Sequence, residues 1–156
     1  MTKALLAMHV LTAIIAIGPV TVTSSMFPPA ARRAAESGRN RDHAVVATLH
    51  RICRVYAGMG IAVPVFGFAT ASSLGVLSEG WLIASVALTA AAAAVLGLLV
   101  IPAQAVLAGE NITSAGRLPV DEQAAAKLAI YTGVFNVLWA VVTVLMIVRP
   151  GSTTGA

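Results

Sequence analysis

Residues 81–101 read WLIASVALTAAAAAVLGLLVI, an apolar run with no charged residue and only the hydroxyls of Ser85 and Thr89 to interrupt it. Its length matches the roughly 20 residues an α-helix needs to cross the hydrocarbon core of a bilayer. Backbone N–H and C=O groups find no water there, so the run must pair them internally as a helix. A membrane-barrel strand would be about half as long and would alternate apolar and polar residues, which this run does not.

Three further runs have the same character, at about 4–27, 44–72 and 128–148. The expectation is an all-α fold: one transmembrane domain over residues 1–156, built as an integral membrane four-helix bundle. Composition agrees, since 58% of the 156 residues are hydrophobic and 10% are charged. A soluble domain carries about 25% charged residues, and one this short cannot hide so much apolar surface in its own core. The first run follows Lys3 and precedes Ser24 and Ser25. It exceeds the apolar stretch of a signal peptide, usually about 7–15 residues, so it reads as a retained span.

The links fix an orientation. Residues 28–43 carry Arg32, Arg33, Arg39 and Arg41; residues 102–127 carry Arg117 and Lys127, and Arg51 and Arg54 lie close by. The opposite side holds only Lys3 and Arg149, and the link at 73–80 has no Lys or Arg. Basic residues favour the cytoplasmic side. Links 28–43 and 102–127 are therefore expected inside a bacterial plasma membrane, with both termini outside. Trp81 would sit at the outer boundary, and Phe27, Tyr56 and Tyr131 near the inner one. In the link 102–127, Pro119 with Asp121 and Glu122 reads as the first turn of a helix entering the fourth span. The net charge of +4 has no basic polar face on which to meet nucleic acid, so lipid headgroups are its expected partner. The single cysteine, Cys53, excludes an intrachain disulfide and a cysteine-based metal cluster.

Small residues recur at spacings of three and four, which keeps one face toward a neighbour along a helix. The seams are His50, Cys53, Ala57, Gly60, Pro64, Gly67 and Ala71 on the second span, and Ala87, Ala90, Ala94 and Gly97 on the third. On the fourth the seam is Ala129, Gly133, Asn136, Ala140 and Thr143. Gly60, Pro64, Gly67, Gly97, Gly133 and Asn136 are the expected helix-packing positions. Gly18-Pro19 and Pro64 should kink their helices, with Thr21, Thr23, Ser24 and Ser25 placed to bond freed carbonyls.

Polar groups inside a span are costly and are functional candidates. Here they are His9, His50 and Asn136. Two histidines on adjacent spans invite a haem with two axial ligands. Depth opposes that pairing. His9 lies about 27 Å along the first helix from Phe27, and His50 is only about two turns into the second from the other side. No acid lies inside a span, and no phosphate loop or metalloprotease pair is present, so neither catalytic residues nor a metal centre are expected. The simple reading is that His9 and Asn136 bond neighbouring helices while His50 joins a basic collar with Arg51 and Arg54.

The opening Lys3-Ala4-Leu5-Leu6-Ala7-Met8-His9-Val10-Leu11, followed by Gly18 and by Phe27-Pro28 before the arginines, resembles the small four-helix integral membrane proteins of actinobacteria and other bacteria. That group is similar in plan to the HemJ and copper-resistance D membrane proteins. The likeness covers roughly the first 30 residues and the four-span plan. It implies a haem-binding or redox role, with His9 as the haem ligand or redox-site residue. The residues themselves favour a non-enzymatic bundle, expected in a membrane complex with other subunits or as a homo-oligomer. Haem binding, through His9 or His50, is one alternative. A small oligomeric transporter is the other, since the Pro and Gly breaks and Asn136 occur in such proteins.

Overall fold

In a computed structural model describing residues 2–109 and 122–151, each apolar run is helical. The elements are α1 (Thr2–Ser37), α2 (Asn40–Met59), α3 (Ala62–Leu74), α4 (Gly80–Ala94), a π-helical segment (Val95–Val100), α5 (Ile101–Ala108) and α6 (Glu122–Val148). They group into four rods long and apolar enough to span a membrane: Thr2–Ser37, Asn40–Leu74, Gly80–Ala108 and Glu122–Val148. The fold is an all-α membrane bundle with no strand among the described residues. Its surface is what lipid requires: large apolar side chains such as Leu98 (73%) and Ile147 (72%) are turned outward.

The first helix does not stop at Phe27. It continues through Pro28 and Pro29 to Ser37, so the first link is a short turn at Gly38 and not the whole of 28–43. Two prolines remove N–H groups from the ladder and disfavour helix before them. Burial outweighs that cost, because Phe27, Pro28, Ala31 and Ala34 are all buried, and Phe27, Ala31 and Ala34 share a core with Val46, Leu49, Cys53 and Leu128. Gly38, at φ +61°, makes the left-handed turn that glycine takes without penalty. Asp42 then fastens the turn, accepting a hydrogen bond from the Ser37 hydroxyl and pairing with Arg39 at 3.0 Å.

The second span is two helices rather than one. At the break Gly60 N–H donates to both Tyr56 O and Ala57 O, and Val63 N–H donates to Gly60 O at 3.1 Å. That last bond satisfies the carbonyl that Pro64, lacking an N–H, would leave open. In the first span Thr23 donates to Pro19 O and Val20 O, and Ser24 to Thr21 O. These hydroxyls serve carbonyls at and just beyond Pro19 and not that of Ile15, whose helical partner Pro19 removes.

The third span likewise runs past Ile101. Ile101 N–H reaches back five residues to Leu96 O, the widened turn of a π-bulge. Pro102 falls directly after it, in the first turn of α5, where a missing N–H is best tolerated. The buried face then passes down Ser85, Ala92, Leu96, Val100 and Gln104. The small residues Ala87, Ala90, Ala94 and Gly97 point outward instead, which corrects the seam expected there. The fourth span begins by Glu122; Arg117, Pro119 and Asp121 lie outside the described residues.

The half of the bundle next to the α1–α2 turn is a closed ring, in which α1 meets α2, α2 meets α5, α5 meets α6 and α6 returns to α1. The main core fills this half, with Val20, Phe27, Val46, Val100, Leu128 and Phe135 almost wholly buried. In the other half α3 packs on α1 and α4 on α6, and a small cluster of Ala71, Trp81 and Leu82 joins α3 to α4. The Arg149 guanidinium lies 5.4 Å from the Trp81 ring centre, a cation–π contact that ties the end of α6 to the start of α4.

Candidate functional site

Every intramembrane candidate read from the sequence takes part in a polar link between helices. The first is at His9. Its Nδ1–H donates to Val63 O at 2.9 Å, which leaves the lone pair of the neutral ring on Nε2. The close approach depends on Gly67, since a Cβ there would stand 3.0 Å from His9 Cε1 and 3.2 Å from Nδ1.

The second link is at His50, 1% exposed. Its Nδ1–H donates to Gln104 Oε1 at 3.3 Å. The thiol of Cys53, one turn further along α2, sits beside the Thr23 hydroxyl and the Gln104 amide. Thr23, His50, Cys53 and Gln104 thus form a polar cluster from α1, α2 and α5, sealed inside the main core. His50 belongs to this cluster and does not join Arg51 and Arg54, which are exposed, in a collar facing headgroups.

The third link is at Asn136, whose Nδ2 donates to Ser25 Oγ at 3.2 Å. It closes the deep end of a groove of about 300 Å³ between α1 and α6, lined by Ser25, Pro28, Arg32, Thr132, Gly133 and neighbouring residues.

The structure does not bring the histidines together. His9 meets the second span at Val63, thirteen residues beyond His50, or about 20 Å at the helical rise. No group of three His, Cys, Asp or Glu side chains among the described residues could hold a metal ion. The expected packing positions divide. Gly67 carries the contact with His9, whereas at Gly60 a Cβ would stand 2.9 Å from Ala57 O, a carbonyl of its own turn and not of a neighbouring helix. Gly97 and Gly133 have nothing within 4 Å of a built Cβ, so neither lies in a close helix crossing here. Pro64 is half-buried in the first turn of α3.

Gln104 and Thr132 were missed in the sequence. Gln104 lay beyond Pro102 in what read as a link. The signal for it was the four-residue step Leu96, Val100, Gln104, which carries the buried stripe straight past the proline.

Four apolar rods tied by polar links define the class: an integral membrane helical bundle. A family model described as predicted integral membrane protein (DUF2269) matches residues 3–150, and the chain belongs to that family. No curated protein matches the chain, and no solved structure matches it.

Proposed function

We propose that this chain is a non-enzymatic helical bundle of the bacterial plasma membrane, working as an accessory subunit of a larger membrane complex. One observation carries the reading: His9, His50 and Asn136 each bond a different neighbouring helix. Intramembrane polar groups used in this way hold a bundle together rather than converge on a substrate. The outward stripe Ala87, Ala90, Ala94 and Gly97 supports a subunit role, because small side chains let a partner helix approach closely. The eight-to-two bias of Lys and Arg favours residues 28–43 and 102–127 on the cytoplasmic side; of the latter, 110–121 lie outside the described residues.

A haem-binding reading stands second, and a specific feature favours it. A ligating histidine generally donates its other ring nitrogen to a fixed acceptor, and His9 does so to Val63 O. Nε2 is thereby oriented for an axial bond, through which a haem would supply redox chemistry. His50, about 20 Å away, does not supply the second ligand.

The absorption spectrum of protein expressed with haem separates the two. The subunit reading expects no Soret band, together with copurification of other membrane proteins after mild solubilisation. Ala90→Trp, on the outward stripe, should abolish that copurification. A Soret band lost in His9→Ala would overturn the subunit reading and make His9 the ligand.

A further inference from the structure

The groove between α1 and α6 has a floor and a rim of different character. Pro28 and Thr132 are buried, while Ser25, Pro29, Arg32, Ala129 and Gly133 are exposed along the opening. From Arg32 to Ser25 on α1, and from Ala129 to Asn136 on the antiparallel α6, is seven residues, or about 10 Å. The groove therefore starts where the arginines end the apolar span and reaches well into it. It opens sideways, beside the outward-facing Met26, Ile130 and Val137.

Thr132 is the observation that asks for a ligand. Thr12, Thr23, Thr48, Thr70, Thr89 and Thr143 each donate to the carbonyl four residues back, at 2.7–2.9 Å. This is how a helix normally satisfies a hydroxyl in an apolar setting. Thr132 does not, although it is only 3% exposed, and its Oγ1 has no hydrogen-bond partner among the described residues. Asn136 Oδ1, one turn along the same wall, is also without one. Burying such groups unpaired is costly, and both lie on the groove. The site offers the Thr132 hydroxyl in its depth and the Arg32 guanidinium at its mouth. Arg32 forms no ion pair among the described residues, whereas the adjacent Arg33 faces Asp42.

We propose that this groove binds the phosphate headgroup of an anionic membrane phospholipid, with the phosphate on Arg32 and an ester carbonyl accepting from Thr132. A cation at the interface with a neutral donor below it, beside an apolar surface, complements the order of groups along such a lipid. Basic pockets between spans are known to take anionic headgroups, and guanidinium suits phosphate through paired N–H donors.

The test uses the full chain in mild detergent, titrated with phosphatidylglycerol or phosphatidylcholine. Native mass spectrometry counts retained lipid and thermal unfolding reports stabilisation. Wild type should retain one phosphatidylglycerol in preference to phosphatidylcholine. Arg32→Gln should weaken that retention about tenfold and Thr132→Val about fivefold, as expected for one charged and one neutral hydrogen bond. Thr132→Ser, which restores the hydroxyl, should bind like wild type and separates lost binding from lost folding. Arg33→Gln should change nothing. Equal losses in Arg33→Gln and Arg32→Gln, or no loss in Thr132→Val, would overturn the site and leave a diffuse basic collar. Millimolar inorganic phosphate that stabilises the protein and displaces the lipid would overturn the lipid as source in favour of a soluble oxyanion.

Discussion

At the scale of single residues, the polar side chains of this bundle are explained by what they touch. His9 shows it most clearly, because its contact with α3 requires the missing side chain of Gly67. Replacing glycine by alanine inside a helix ordinarily stabilises by up to about 1 kcal/mol. Here the new methyl would press on the imidazole at about 3 Å and disturb its bond to Val63 O, a kind of bond worth roughly 0.6 kcal/mol in membrane proteins and up to about 1.7. Gly67→Ala should therefore lower the unfolding midpoint in wild type and raise it in a His9→Ala background. A denaturation series on the four proteins of this cycle in bicelles would show the change of sign. Equal effects in both backgrounds would mean the two residues are not coupled. Depth along the helix, read from sequence, was enough to keep His9 and His50 from sharing one iron. The partners were not legible, since Val63 O is a backbone group and Gln104 lay past a proline. Thr132 could not be singled out either, because in sequence it looks like the six threonines that bond back to their own helix.

At the scale of elements, the apolar runs mark the cores of the helices well and their ends poorly. Prolines at 28, 29 and 102 argue for termination, and in water they would be sound evidence. Inside a span, ending the helix would leave several carbonyls unpaired in lipid, which costs more than losing one bond at proline. So α1 runs on to Ser37, and a π turn absorbs Pro102. Among the described residues Gly60 marks the place where a span divides into two α-helices, and two nearby glycines make the cause testable. Gly58 has open space around a built Cβ, whereas at Gly60 that atom would stand 2.9 Å from Ala57 O. Gly58→Ala should stabilise by up to about 1 kcal/mol through helix propensity. Gly60→Ala should destabilise by about 1–3 kcal/mol, the usual penalty for overpacking. If the two unfolding midpoints moved the same way, the break would owe nothing to the contact at Gly60 and would have to be assigned to Pro64 alone.

At the scale of the whole molecule, the number of spans and their helical nature follow from length and composition, while the contacts between spans do not. Small-residue spacing misplaced the third span's inner face because alanine is common on every side of that helix, so spacing alone has no contrast to read. The bulkier stripe through Leu96 and Val100 proved to be the buried one. Orientation rests on a different quantity, the distribution of Lys and Arg, and it predicts which turns meet the cytoplasm. Cys53 is buried and is the single cysteine, so replacing it with alanine gives a background for new thiols. Ser37 at the α1–α2 turn and Ser78 in the α3–α4 link are both exposed and lie at opposite ends of the second span. With Cys53→Ala, Ser78→Cys should react with a membrane-impermeant maleimide on intact cells. Ser37→Cys should react only after the membrane is opened. The charge difference is large enough that mixed labelling is not expected. The reverse pattern would place the arginine-rich ends outside and, with them, the mouth of the α1–α6 groove in the outer leaflet.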